Sequence, residues 1–306
     1  MLSKENKPLV SFILVSYNQE SYIEEAINSI FNQSYENLQI IISDDGSTDR
    51  TKNIILEKIK NRDVIFLNNK ENKGLIGNLN LAFSYVEGDI IIAMAGDDIS
   101  MPNRVTAIVE SFIQNPDVFC IYSNTIDIDK NSVEIPNSSY GLKYHRKNGE
   151  MTVERHLKEN LGILGCSAAF KRCLITSPLA HFLPSEDKVL TLRALLKGKI
   201  LFIPEKLVKY RLGTGISNNL NKKNKFEYKK NLRARILTID GYILELNENS
   251  IFSEKIKELE IIKEFLTSAL NIIELKKVSL PVNFFNLKSI KLKDKLRFLY
   301  YRFYKD

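Results

Sequence analysis

The 306-residue chain is short of the residues that most readily advertise a chemistry. Its three cysteines (Cys120, Cys166 and Cys173) are too few and too scattered for a disulfide framework or a zinc-ligand spacing, and they read as buried reduced thiols. Its three histidines (His145, His156 and His181) have no nucleophile or metal pattern around them and read as surface residues. No window approaches the roughly 18 to 20 uninterrupted apolar residues of a spanning helix. The first seven residues, MLSKENK, lack the apolar segment of a signal peptide, so the expected location is cytoplasmic. A general excess of basic charge is missing too. Residues 1–275 balance, with 35 basic and 35 acidic side chains, and the whole net charge of +7 sits on residues 276–306. That excludes a broad nucleic-acid-binding surface and leaves one local basic patch.

What is present is a regular alternation of two periodicities. Residues 9–16 (LVSFILVS) are an apolar, β-branched-rich run, as expected of a strand buried on both faces. Ile23, Ala26, Ile27, Ile30 and Phe31 then fall on one face of a helix. The pattern repeats with strands at 38–42, 64–67 and 89–93. Helices marked by Ile54, Ile55 and Ile59, and by Leu75, Leu79, Ala82, Phe83 and Val86, lie between them. A fourth helix carries Val105, Ile108, Val109 and Phe112, with Ser100 as its N-cap and Pro102 in its first turn. Such repeats predict right-handed βαβ units and a mainly parallel sheet covered on both faces. Further on, the sequence predicts a strand at 167–170 and a helix at 186–197 capped by Ser185. Short strands at 199–203 and 207–211 follow, and then two long charged helices over 222–276, broken near Asn249. Residues 124–165 carry no clear pattern.

Open parallel sheets bind ligands beyond the carboxyl ends of their strands. Three polar clusters fall at such ends: Ser16-Tyr17-Asn18, Asp44-Asp45-Gly46-Ser47 and Gly96-Asp97-Asp98. Two adjacent carboxylates at the end of an apolar strand repel each other and are partly desolvated. A hard divalent cation would relieve both penalties and would leave positions open for substrate phosphates. Taken alone, such a pair more often belongs to a solvated loop that starts a helix. The Asp44-Asp45 turn is equally ambiguous: a carboxylate there suits the N3–H of a pyrimidine, with Tyr17 stacked on the base, but the turn needs no ligand to explain it.

These clusters occur in a fixed order with further matching pieces: Val15-Ser16-Tyr17-Asn18-Gln19-Glu20, Ser43 to Asp49, Asn72-Lys73-Gly74 with Asn78 and Asn80, Ala95 to Asp98, Ser185-Glu186-Asp187, and Ile203-Pro204-Glu205 with Tyr210-Arg211. Over roughly residues 8–215 the chain thereby resembles the inverting glycosyltransferases of family 2. The resemblance implies a GT-A domain at 1–215, an α/β Rossmann-like fold with a mainly parallel sheet and flanking helices. A helical C-terminal region would occupy 216–306. It also implies nucleotide contacts from Ser16, Tyr17, Asn18, Glu20, Asp45, Asn78 and Asp97, a Mn²⁺ or Mg²⁺ ion on Asp98, and Asp187 as general base. Its donor would be a nucleotide sugar, UDP-linked, and its acceptor a glycan or lipid-linked hydroxyl in surface polysaccharide synthesis. Asp187 also suits that role physically, because a helix N-terminus favours the ionised carboxylate that a base requires.

The chain departs from the family pattern at Leu79, where many relatives have Arg, and after Arg211, where many have His. Arg211 is left as a candidate phosphate contact. Two rivals remain: a non-catalytic glycan- or nucleotide-binding member, and a sugar nucleotidyltransferase. The latter typically needs a glycine-rich basic loop after the first strand, and residues 17–22 (YNQESY) contain neither glycine nor a basic residue. In the tail, Leu292, Leu296, Leu299 and Phe303 form an apolar stripe beside Lys291, Lys295, Arg302 and Lys305. Residues 284–306 therefore suit either an anionic membrane surface, at the inner face of the plasma membrane, or packing on the catalytic domain.

Overall fold

The computed structural model describes residues 7–138, 140–214, 225–247 and 252–273. The alternation read from the sequence is present as β1 (Val10–Ser16), α1 (Ile23–Phe31), β2 (Leu38–Asp44), α2 (Thr51–Lys58), β3 (Ile65–Asn68), α3 (Gly74–Phe83) and β4 (Ile90–Ala95). Next come β5 (Ile99–Ser100), α4 (Arg104–Gln114), β6 (Val118–Ile128), α5 (Tyr140–Asn148) and α6 (Val153–Glu159). They are followed by β7 (Ala168–Lys171), α7 (Asp187–Lys197) and β8 (Lys199–Arg211). Two long helices end the described chain, α8 (Lys225–Leu246) and α9 (Ser253–Ile273).

The chain divides into two compact units. One comprises residues 1–156, 161–181 and 185–219, and the other 157–160, 182–184 and 220–306. The first holds one eight-stranded sheet in the order β3-β2-β1-β4-β7-β6-β8-β5. Strands β1 to β4 are mutually parallel, β6 and β8 are parallel to each other, and β7 and β5 run against their neighbours. The period of two along β1 distributes its side chains between two cores. Val10, Phe12 and Leu14 pack with α1, α2 and α4, while Ile13 and Val15 pack with α3. Each such fully buried aliphatic side chain contributes roughly 1.5–3 kcal/mol.

The sheet cannot be flat. Ala95 and Ile99 are four residues apart, a span of at most ~14 Å. In a flat sheet of this order β4 and β5 would stand four strand spacings, ~19 Å, apart. The sheet therefore curls, and the end of β8 comes round to the loop after β4. The backbone N–H of Arg211 donates to Asp98 Oδ1 at 2.9 Å. In the second unit α8 and α9 pack as a helical hairpin, with an ion pair of 2.5 Å between Lys263 and Asp240. No helix among the described residues is long and apolar enough to cross a membrane.

Several local expectations are corrected. Ser100 lies in β5 and accepts a hydrogen bond from Gln33 at 3.1 Å, and α4 begins only at Arg104, after Asn103. The two short strands at 199–211 are one strand: its register against β6 skips Pro204 and Glu205, and β5 covers its other side only at Val208 and Lys209. Pro204 thus sits where no ladder hydrogen bond is required of it. Cys120 is buried as expected, but Cys166 is half-buried and Cys173 exposed. His156 is fully buried, and that burial lowers its pKa to about 3. His145 stacks on Phe202 with ring centroids 3.9 Å apart, and only His181 is exposed.

Candidate active site

Strand order reverses between β1 and β4, since β2 and β3 lie to one side of β1 and β4 lies to the other. At that switch point a cavity of about 570 Å³ opens beyond the carboxyl ends of the strands, a size usual for small-molecule sites. Ser16, Tyr17, Asn18, Asp45, Asn78, Asp97, Asp98 and Asp187 all line it. Glu20 does not: its carboxylate accepts the backbone N–H of Arg50 at 3.0 Å, which ties the loop after β1 to the start of α2.

The cavity wall beyond β1 and β2 is held by hydrogen bonds between loops. Asn18, with φ of 50°, accepts from the Thr48 N–H at 2.9 Å and donates its own N–H to Ser47 Oγ at 2.9 Å. Asp44 is consumed locally, accepting from Ser16, from the Ser47 hydroxyl and from the Ser47 N–H. Asp45 is buried at the cavity wall. Its Oδ1 accepts from Asn69 at 2.8 Å and from the Lys73 N–H at 2.9 Å. Asn78 supports that arrangement from below, bonded through its carbonyl oxygen to Ser43 and Asn69 and through its amide to the Ser43 carbonyl. Tyr17 is 45% exposed, an aromatic face open at the end of β1. Gly46, with φ of 73°, turns the chain where a Cβ would stand 3.0 Å from the Glu71 carbonyl carbon.

The acidic pair lies deeper. Asp97 is buried, accepts from Thr214 Oγ at 3.0 Å, and has its pKa raised chiefly by desolvation. Asp98 is only 2% exposed, and its pKa is raised well above the usual carboxylate range by burial and then by the Asp97 charge. The Arg211 N–H, Cys166 and Arg104 oppose that rise. Arg104 is itself fully buried, donating to the Cys166 carbonyl at 2.7 Å, and its pKa falls to about 10. Two desolvated, mutually repelling carboxylates are a donor set suited to a hard divalent cation, which would remove both penalties. Among the described residues no cluster of three or more His, Cys, Asp or Glu accompanies them. An ion here would therefore complete its shell with substrate phosphate and water.

Arg211 does not face the cavity as a phosphate contact. It is 1% exposed, and its guanidinium donates to the carbonyls of Asp97 and Asp129, to Ser132 and to Glu25. At the opposite wall Ser185 does not cap α7. Its hydroxyl donates to Asp187 Oδ1 at 2.5 Å, and the residue before the helix is Glu186. Glu186 is pushed up to about 7 by burial and by the neighbouring Asp187 charge.

Sequence reasoning missed Gln19. Its side chain lowers the pKa of Asp97, while its Oε1 is buried without a partner. A Cβ on Gly96 would fall 2.5 Å from that oxygen, so only glycine lets Gln19 lie over the acidic loop. Tyr140 and Tyr144, also on the cavity wall, lie in the stretch that carried no pattern.

The fold and the site together define a glycosyltransferase of the GT-A type. The chain belongs to glycosyl transferase family 2, whose pattern it matches over residues 11–175. It is 30% identical over 245 residues to the Escherichia coli UDP-Glc:alpha-D-GlcNAc-diphosphoundecaprenol beta-1,3-glucosyltransferase WfgD, covering 77% of this chain and 92% of that one. An uncharacterized glycosyltransferase of Haemophilus influenzae is 44% identical over 113 residues, 36% of this chain and 35% of its own. Among solved structures, residues 1–349 of S. aureus TarS superpose with a TM-score of 0.58 at 17% identity, over 96% of this chain and 80% of that one. The Pyrobaculum calidifontis mannosyltransferase PcManGT, in complex with GDP-Man and Mn2+, gives 0.58 at 17% identity, over 97% and 86%. At these identities the structural likeness speaks for the fold alone.

Proposed function

We propose that the protein transfers a sugar, with inversion, from a UDP-linked donor to a hydroxyl of a glycan or lipid-linked acceptor in surface polysaccharide synthesis. The observation that carries this reading is the convergence of Tyr17, Asp45, the buried Asp97-Asp98 pair and Asp187 on one cavity. Support for the donor and acceptor classes comes from the UDP-Glc and diphosphoundecaprenol in the name of the E. coli relative, and from a TarS complex with UDP-GlcNAc. The catalytic part would be residues 1–215 and the helical part 216–306. Residues 284–306, which lie outside the described residues, would hold the enzyme at the inner face of the plasma membrane.

In this mechanism Tyr17 stacks on the base and Asp45 accepts its N3–H. Asp97 receives a donor hydroxyl, and Asp98 would hold Mn²⁺ or Mg²⁺, which stabilises negative charge on the departing diphosphate. The acceptor oxygen attacks the anomeric carbon from the face opposite the diphosphate. Asp187 takes its proton as the bond to the leaving oxygen breaks. Ser185 keeps the carboxylate oriented through its 2.5 Å hydrogen bond.

The test is thermal unfolding with UDP, GDP, CDP and dTDP, each with and without Mn²⁺. A ligand at about 100 times its dissociation constant adds about 2.7 kcal/mol. The reading predicts a shift with UDP that requires Mn²⁺ and disappears in Asp98→Ala. Absence of any nucleotide effect would instead favour a non-catalytic member of the family.

A further inference from the structure

We propose that Tyr140, Tyr144 and Tyr210 form the acceptor subsite, a stacking platform that seats a pyranose ring and presents its hydroxyl to Asp187. This rests on the glycosyltransferase reading above and adds to it where the acceptor binds and what chemistry recognises it.

The three rings form one continuous cluster. Tyr140 and Tyr144 have centroids 5.3 Å apart, and Tyr140 and Tyr210 are 5.6 Å apart. All three line the same cavity as Asp97, Asp98 and Asp187. Tyr144 and Asp187 line the cavity together, and burial, ahead of the Tyr140 and Asp187 charges, raises the Tyr144 phenol, so the ring stays neutral.

Sheet order separates this platform from the nucleotide side. Tyr17 and Asp45 follow β1 and β2, whereas Tyr140 opens the helix after β6 and Tyr210 lies on β8. From β1 to β6 is three strand spacings, ~14 Å along the sheet. Tyr17 and the tyrosine cluster thus reach the one cavity from different strand ends, and the cluster shares that cavity with Asp187. Aromatic faces are electron-rich and attract the C–H face of a pyranose, while phenol hydroxyls can pair with the sugar's own hydroxyls. No charged group is needed for such a ligand.

The platform is also built rigidly. Asp127 is fully buried in β6 and accepts the Tyr140 N–H at 2.8 Å and the Ser138 hydroxyl at 2.5 Å. Thr125 donates to the same aspartate and accepts the Gly141 N–H at 3.1 Å. A Cβ on Gly141 would lie 3.0 Å from the β6 backbone, so α5 approaches that strand as closely as glycine permits.

The chain contains no tryptophan, so Tyr144→Trp creates a single fluorescent reporter. Titration of that variant, saturated with UDP and Mn²⁺, with methyl glycosides of glucose, galactose and N-acetylglucosamine should give a saturable emission change for at least one sugar. Adding Tyr140→Ala should weaken that affinity about tenfold while leaving the UDP-dependent thermal shift unchanged. The same pair of measurements on Tyr140→Phe, which keeps the stacking face, should show a smaller loss. If no glycoside changes the emission while the UDP shift is intact, the proposal fails. It also fails if only octyl, and not methyl, glycosides bind, or if Tyr140→Ala weakens UDP instead. Loss of the UDP shift in the unsubstituted protein would sink the glycosyltransferase reading itself, a distinct outcome.

Discussion

Replacing Arg211 by methionine separates a structural role from a ligand-binding one. The guanidinium donates at 2.8 Å to the Asp97 carbonyl, at 2.9 Å to the Asp129 carbonyl, at 3.0 Å to Ser132 and at 2.9 Å to Glu25, and it covers the Tyr22 ring at 4.4 Å. Methionine keeps much of the volume but leaves the Asp97 carbonyl without its donor, at about 1–3 kcal/mol, while the Asp129 carbonyl keeps the Ser132 N–H at 3.1 Å. Loss of the cation–π contact adds about 1 kcal/mol. Glu25 is half-exposed and rehydrates, so its ion pair contributes under about 1 kcal/mol. The expected loss is about 2–5 kcal/mol, overlapping that of breaking other buried charged pairs. At about 2–4 °C per kcal/mol for a domain of this size, Tm should drop by about 10 °C in calorimetry. Arg211→Lys should recover only part of it, since one ammonium cannot replace a fork of donors. A variant that melts within about 2 °C of the parent but no longer responds to UDP would refute this reasoning and return Arg211 to the phosphate.

Other consequences follow from the same geometry. Asn78→Ala removes the bonds to Ser43 and Asn69 that steady Asp45. It should cost about 2–3 kcal/mol and weaken UDP several-fold, as read by calorimetry and by nucleotide titration. Burial and then the Asp187 charge push the Glu186 carboxyl up from its ordinary 4.5 to about 7. The folded protein therefore binds its proton more tightly than the unfolded chain, and its contribution to stability falls as pH rises between those values. Glu186→Gln should flatten the decline of Tm over that interval, and an unchanged pH profile would count against the buried position of this carboxyl.

Much of the first half of the chain was legible because βα units write their burial as periodicity. Residues 9–16, an apolar run broken only by Ser11 and closed by Ser16, reappear as β1 from Val10 to Ser16, every side chain of which is buried. The Asp97-Asp98 pair was legible for a related reason, since an apolar strand that ends in two carboxylates must either expose or neutralise them. β6 was not legible. Its second half, Ser123 to Asp127, is polar and reads as loop, yet it is almost entirely buried because Thr125 and Asp127 satisfy each other and the start of α5. Tyr140 and Tyr144 lie just beyond and were hidden with it. β8 was split in the reading by Pro204, whose missing N–H costs nothing where no strand faces it. Arg211, the last residue of β8, was offered as a phosphate contact, whereas the curl of the sheet encloses it. Glu20 has the same history on a smaller scale: its spacing matched a family motif, but its carboxylate is used by the Arg50 backbone.

The role proposed for Asp187 is that of the base in an inverting transfer. It is tested most directly by proton NMR of donor turnover with Mn²⁺ present, offering UDP-glucose, UDP-galactose and UDP-N-acetylglucosamine in turn and water as the surrogate acceptor. The account predicts that the first-formed sugar from an α-linked donor is the β anomer. It further predicts that Asp187→Asn lowers turnover about 10²- to 10⁴-fold while the UDP-dependent thermal shift persists. An α product, or an Asp187→Asn enzyme that turns over at the parent rate, would contradict it.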